Sequence, residues 1–194
     1  SSQKRDGAYN NLTTGEDWGE IDKQAARFQF LVKPSDSLEF LFNIHGGVSR
    51  GDPAPWKNVG AHDPANRFAP CAVPTDQQNP QNNPNCVDST GFNHQTNDWN
   101  DVHSGTRHRE NLDVWGTGLK VTWDVGAFTI TSVSAFDSVE VAYSEDSDGT
   151  PNVAFQFSQE GEYDQWAQEI RIQSNEDKRL RWIAGAYYFF EEGF

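Results

Sequence analysis

The residues best suited to metal chemistry lie in one polar stretch. His94, His103 and His108 stand there close to several acidic residues, and imidazole and carboxylate groups are side chains that hold zinc. No pair of these histidines has the spacing that would place two ligands on one face of a helix. The alternative is a solvated polar loop, and we favour it, so we expect no metal and no other cofactor.

Other catalytic patterns are weaker still. Asp146-Ser147-Asp148-Gly149 has a faint likeness to a calcium loop, but the twelve-position ligand pattern with a closing Glu is missing. The sequence has neither a Ser-centred nucleophile elbow nor a Gly-rich phosphate loop. We therefore expect a protein that is not an enzyme.

Composition excludes further classes. The 194 residues carry 15 Lys and Arg against 29 Asp and Glu, a net charge of -14, which argues against nucleic-acid binding through bulk charge. Aromatic residues make up 13% of the chain, and no run is long and apolar enough for a membrane-spanning helix. The N-terminus lacks a signal-peptide pattern, and the chain contains no Met. We expect a mature or excised piece.

Six segments alternate apolar and polar residues with the period of a β-strand. The fourth alternation blurs at Ser132-Val133-Ser134, where we expect a β-bulge. Gln168 interrupts the apolar face of the fifth. The segments are 25–32, 38–45, 115–123, 128–136, 166–173 and 180–190.

Between these segments, short turns alternate with two long loops, predicted at about 49–113 and 137–162. The first loop contains Cys71 and Cys86, which we expect to form a disulfide in an oxidising compartment. Two unrelated free thiols are the alternative. This order of strand, short turn, strand and long loop is typical of an outer-membrane β-barrel. Trp115, Trp123 and Trp182 at strand ends suit interfacial girdles. A secreted β-sandwich binding module remains the structural alternative.

Two strand pairs also carry a family resemblance. The runs 115–124 and 128–136, and then 165–174 and 180–191, resemble barrel strands of TonB-dependent outer-membrane receptors. Its most specific parts are Gln-Glu-Ile-Arg-Ile-Gln-Ser at 168–174 and Trp-x-x-Gly-x-Tyr-Tyr at 182–188. The resemblance implies that residues 1–194 are an internal fragment of a receptor barrel, with its plug region absent.

The resemblance also implies a function and a location. The parent receptor would import a siderophore, a vitamin or a carbohydrate, with energy supplied by the TonB complex through the missing plug region. The strands would contact outer-membrane lipid of a bacterial cell and the loops would be extracellular, unless the piece is a shed extracellular fragment.

Two groups of residues are candidates for contact with the small-molecule ligand. Loop aromatics could stack on a sugar or an aromatic ligand, although such rings also pack loops onto themselves. Polar residues of the strands would line a wet lumen, although they could equally hold water or pair with a plug. The candidates are Trp56, Phe92 and Trp99 in the first loop and Arg27, Lys120 and Arg171 on the strands.

Open sheet edges raise a further possibility. Excised strands rich in Phe, Val and Ile expose unpaired backbone groups that can pair with another copy. We therefore also expect that the fragment is able to self-associate, with a fibril-like structural form as an alternative to the barrel.

Overall fold

The computed structural model describes residues 1–58, 60–71, 86–93, 98–175 and 179–193. The regular elements within these ranges are β-strands. No helix in them has the length and apolar character to cross a membrane. The strands are β1 (Ser2–Arg5), β2 (Tyr9–Asn11), β3 (Asp17–Trp18), β4 (Ile21–Ser35), β5 (Leu38–Gly51), β6 (His62–Asp63), β7 (Asn66–Pro70), β8 (Asp101–Val102), β9 (Arg109–Asp124), β10 (Phe128–Asp146), β11 (Gln156–Ser174) and β12 (Ile183–Gly193).

One open antiparallel sheet of seven strands dominates the fold, in the order β1-β4-β5-β9-β10-β11-β12. The six predicted segments are its six long strands, which confirms the all-β, antiparallel prediction. The sequence did not reveal β1, which pairs with the first residues of β4. The described residues contain no second large sheet packed across this one, as a β-sandwich would require.

Long and short connections alternate between the two ends of the sheet. The long connections are 6–20, 52–108 and 147–155, and the short ones are 36–37, 125–127 and 175–182. Both predicted loops, 49–113 and 137–162, are longer than the corresponding connections in the structure, 52–108 and 147–155. The strands continue past the apolar stretch with residues such as Glu140 and Glu162, which pair in register although the hydrophobic alternation has ended. Backbone pairing therefore extends further than a pattern of side chains can show.

The register places the alternating apolar residues identified in the sequence on one face, which we call the apolar face, because paired residues project from the same side of a sheet. Some apolar residues, such as Leu31, Val133 and Phe189, lie on the opposite face. The apolar face contains Phe30, Phe42, Leu119, Ser134, Gln168 and Tyr188 in one row across the strands. The opposite face, the polar face, contains Arg27, His45, Gly116, Asp137, Gln165 and Glu191 in another. One sheet thus separates two environments.

The apolar face has the strand length of a bilayer crossing. On β9, Trp115 and Trp123 project from it eight residues apart and mark the ends of its apolar band. A transmembrane β-strand, tilted by about 45°, crosses the bilayer with about 9–11 residues. Beyond Trp115 the same face becomes polar with Asp113, Asn111 and Arg109. The band therefore ends before β9 does.

The predicted bulge at Ser132-Val133-Ser134 is wrong, since β10 pairs with β11 without a register shift from Phe128 to Asp146. The alternation blurs because serines occupy the apolar face. Gln168 donates a hydrogen bond to Ser132 Oγ (3.0 Å) and accepts one from Ser134 Oγ (2.5 Å). A polar group in apolar surroundings is costly only when it is unpaired. This cluster therefore fits an apolar face.

The buried residues lie mainly in the long connections rather than on the sheet. Phe28 on the apolar face is 64% exposed, whereas Trp18 and His108 in the connections are each 1% exposed. A sheet with such exposed rings has no core of its own in water, so its apolar face requires an external apolar partner.

Candidate functional site: a polar sheet face and a loop cap

The described residues of the connections 6–20, 52–108 and 147–155 pack together at one end of the sheet, and we call them the loop cap. The short strand β2 pairs with both β3 and β8, which joins the first connection to the second. Asn11 Nδ2 donates to the Ser104 carbonyl (3.1 Å), and the Leu12 amide donates to the Val102 carbonyl (2.9 Å). The cap is therefore a folded unit built from distant parts of the chain.

One carboxylate links the third connection to this unit, and a second orders that connection internally. Asp146 Oδ2 accepts hydrogen bonds from Ser104 Oγ (2.6 Å) and the Gly105 amide (2.9 Å). Asp148 Oδ1 accepts from Thr150 Oγ1 (2.7 Å), and its Oδ2 accepts from the Phe155 amide (2.7 Å). N–H and O–H donors thus occupy the oxygens that a cation would need.

The charge of Asp148 is stabilised by those donors. Burial raises the pKa of the Asp148 carboxyl, but hydrogen bonds from Thr150, Phe155 and Ala154 outweigh this effect and leave the pKa below its usual value. The acidic segment that resembles a calcium loop is therefore a set of anionic caps for backbone amides. Among the described residues, no three metal-ligating side chains are grouped to hold an ion.

The histidine candidates do not form one site among the described residues. His94 lies outside those residues. The His103 ring contacts the Phe92 ring edge-on at a centroid distance of 5.0 Å, whereas the His108 ring packs on Trp18 at 4.6 Å. His103 and His108 therefore pack inside the loop cap, each against a different aromatic ring.

The predicted disulfide is confirmed. Cys71 and Cys86 are bonded, with their Cα atoms 5.6 Å apart. Cys86 is fully buried and its carbonyl accepts a hydrogen bond from Asn93 Nδ2 (2.8 Å). The cystine therefore anchors the second connection inside the cap, where loop closure restricts the unfolded chain.

The loop aromatics divide into exposed and packed rings. Trp56 is 56% exposed and Trp99 is 55% exposed, so both can offer a ring face to a ligand. Phe92 is half-buried against His103. Lys57 Nζ lies 5.5 Å from the centre of the Trp99 ring. Burial lowers the pKa of Lys57, although Asp101 and Asp98 pull it upward.

The three polar-face candidates lie apart rather than in one cluster. Arg27 is in register with His45, and Lys120 is in register with Leu41 and Val133. Arg171 Nε lies 2.9 Å from Glu169 Oε1, so it forms an ion pair within its own strand. The structure therefore spreads these cations across the height of the polar face.

Sequence reasoning missed a contact between β5 and β10. His45 Nε2 lies 3.0 Å from Asp137 Oδ1, although β9 runs between their strands. Asn43 Nδ2 donates to His45 Nδ1 (3.2 Å), which leaves the ring proton on Nε2, facing Asp137. The intervening residue is Gly116, whose missing side chain leaves the space. The alternating glycines at 116 and 118 were the only signal in the sequence.

We expect Gly116→Ala to disrupt this contact. An added Cβ would collide with the Asp137 carboxylate and lie 2.7 Å from His45 Cε1. Such overpacking should lower the free energy of unfolding by about 1–3 kcal/mol. Urea unfolding in detergent micelles measures the loss.

Gly118→Ala is the matched control, because its added Cβ would be 3.5 Å from its nearest neighbour, an ordinary contact. If both variants lost the same free energy of unfolding, the loss in Gly116→Ala could not be assigned to the His45–Asp137 contact.

The buried ring of His108 makes the cap sensitive to acid. Burial lowers the pKa of His108, although the Asp146 carboxylate and the Pro53 carbonyl act in the opposite direction. The unfolded cap then binds more protons than the folded cap below the pKa of free imidazole, about 6.5. The stability that depends on neutral His108 is therefore present above pH 6.5 and lost progressively as the pH falls below it.

Hydrogen exchange of the Leu12 amide, corrected for its intrinsic pH dependence, measures cap opening. We expect faster exchange below pH 6.5 in the native chain and a much smaller change in His108→Phe. His103→Gln is the control and should keep the native response. An unchanged response in His108→Phe would assign the effect to another group.

Comparison with known proteins gives a likeness in fold. No protein-family model matches the sequence, and no curated protein matches it. Among solved structures, the chain is similar to the ferric yersiniabactin uptake receptor FyuA from Yersinia pestis, with a TM-score of 0.65 and 15% sequence identity. The match covers 99% of this chain and 25% of that receptor. The chain thus spans about a quarter of the receptor's length, and its open sheet has a receptor-like β fold.

Proposed function

We propose that this chain is a segment of an outer-membrane active-transport receptor that takes up a small ligand with energy supplied by TonB. The observation that carries the proposal is the separation of one sheet into an apolar face with the strand length of a bilayer crossing and a polar face. The likeness to an uptake receptor supports it at the level of fold.

The apolar face suits contact with acyl chains. Rings such as Phe28, Phe42 and Trp166 are largely exposed on it, and a soluble monomer rarely exposes a continuous apolar patch of this size. Trp115 and Trp123 occupy the two ends of the band on β9, where aromatic residues sit at membrane interfaces.

The polar face would line an aqueous passage, in which Arg27, Lys120 and Arg171 are the cations available to a ligand or to a plug. Trp56 and Trp99 on the loop cap would make the first contact. Phe92, which packs against His103, is the third aromatic candidate. The ligand class is a siderophore, a vitamin or a carbohydrate. The TonB complex would act through a plug outside this chain.

Spin labels on single cysteines test the orientation of the sheet in lipid vesicles. We expect labels at Leu119→Cys and Val121→Cys to be accessible to dissolved oxygen, and labels at Lys120→Cys and Thr122→Cys to a water-soluble nickel chelate. Asp113→Cys, above the band, is the control for water access on the apolar side. Equal accessibility of neighbouring positions would contradict the membrane assignment.

Tryptophan fluorescence tests the ligand site on the cap. The probes are a ferric hydroxamate, a ferric catecholate, cobalamin and a maltodextrin, each titrated into the receptor that contains this chain. We expect one class to bind and Trp56→Ala with Trp99→Ala to weaken it at least about tenfold, since each stacked ring contributes roughly 0.5–1.5 kcal/mol and about 1.4 kcal/mol is tenfold in affinity. Trp115→Ala is the matched control on the apolar face. A class that binds the double variant with native affinity would exclude this site.

Self-association of the isolated chain stays a prediction. The edge strand β12 and most of β4 beyond its pairing with β1 present open backbone groups. Fibre diffraction with spacings of about 4.7 and 10 Å would identify stacked strands. A monodisperse monomer in detergent-free buffer would argue against it.

A further inference from the structure

A pocket of about 280 Å³ lies where the loop cap meets β4, β5 and β9. We call it the rim pocket. Charged side chains of both signs line it, and a buried imidazole adds a neutral polar group. Its principal residues are Glu20, Asp22, Asp52, Arg107, His108 and Arg109.

The rim pocket lies on the same side of the sheet as the apolar band. Asp22, Arg50 and Asn111 form one register row across β4, β5 and β9, on the face that also presents Trp115. Asn111 is four residues beyond Trp115, or about 13 Å along the strand, which at a tilt of about 45° is about 9 Å along the membrane normal. That displacement reaches the head-group region of a bilayer, just outside its hydrocarbon core.

Two guanidinium groups in the rim pocket are available to a ligand. Arg50 is already engaged, because its Nη2 bonds both oxygens of Asp113 (2.7 and 2.6 Å). Arg107 and Arg109 are exposed and form no ion pair within 4.0 Å in the described part of the chain. Free arginines favour phosphate groups, which they bind through two N–H donors.

Three carboxylates add negative charge to the rim pocket. Glu20, Asp22 and Asp52 line it beside the arginines. Burial raises the pKa of the Asp52 carboxyl, against the opposite effect of Arg107. A purely anionic ligand would meet these three groups without compensation, whereas a ligand with an added ammonium would pair with them.

His108 forms the inner wall of the rim pocket. It is 1% exposed, its ring packs on Trp18, and the Pro53 carbonyl acts on the imidazole. The ring therefore shapes the pocket, and the charged side chains carry the recognition of a ligand.

We propose that the rim pocket binds the phosphoethanolamine head group of a membrane lipid. Arg107 and Arg109 bind the phosphate, and Glu20, Asp22 and Asp52 bind the ammonium. The acyl chains then extend along the apolar face. The placement beside lipid depends on the proposed membrane function, whereas the head-group chemistry depends only on the pocket.

Titration calorimetry of the chain in dodecyl maltoside tests the proposal with short-chain lipids that differ only in head group. We expect dihexanoyl phosphatidylethanolamine to bind about tenfold more tightly than the phosphatidylglycerol and phosphatidylcholine analogues. The glycerol head group lacks the ammonium, and choline lacks its N–H donors. Arg107→Gln with Arg109→Gln should weaken the ethanolamine lipid at least tenfold.

Arg27→Gln with Lys120→Gln is the matched control, because it removes two cations from the opposite face. Leu12 amide exchange confirms that the loop cap of each variant is folded. Equal affinity for the three lipids, or ethanolamine-lipid binding that survives loss of both rim arginines, would overturn the proposal.

Soluble O-phosphoethanolamine separates this proposal from the membrane function. Binding that requires Arg107 and Arg109 supports the head-group chemistry even if the spin labels contradict a lipid-facing sheet. Absence of both soluble and lipid binding overturns the proposal while leaving the spin-label result, and the transport function, intact.

Discussion

The strand register is the constraint on which the rest of this structure depends. A shift of one residue would reverse the face of every side chain in a strand, and each long strand keeps its apolar residues aligned with those of its neighbours. The one irregularity on β4 falls between Val32 and Ser35, where Pro34 cannot donate to the ladder. It lies beside the short turn, so it leaves the apolar band undisturbed.

The loop cap and the sheet satisfy their backbone hydrogen bonds in different ways. The sheet satisfies its backbone through neighbouring strands, whereas the cap satisfies its irregular backbone through side chains. Asp88, Asp146 and Asp148 each accept several N–H or O–H groups. Buried irregular backbone needs such partners, and these three aspartates supply them.

Much of the sheet could be predicted from the sequence, because period-two alternation is a local property. Phe28 and Phe30, or Leu119 and Val121, identify their strands without reference to other residues. The outer ends of the strands could not be predicted, because residues such as Glu140 and Glu162 pair through their backbones without any hydrophobic alternation. Strand β1 was missed for a similar reason, because Ser-Gln-Lys-Arg has no apolar pattern.

The site was less predictable, because it depends on contacts between distant residues. The cystine could be predicted from two cysteines in one loop. The contact of His45 with Asp137 could not, since it requires the register of three strands and a glycine between them. Likewise, nothing local indicates that Trp18 packs on His108.

The joining of the cap also determines what an antibody would recognise on its surface. Asn10 Nδ2 bonds Asp101 Oδ1 (3.1 Å), and Asn58 Nδ2 bonds the Asp148 carbonyl (3.1 Å). Neighbouring surface patches therefore come from segments about ninety positions apart. Epitopes that span these junctions are discontinuous, and a linear peptide from any one connection would reproduce only part of them as an immunogen.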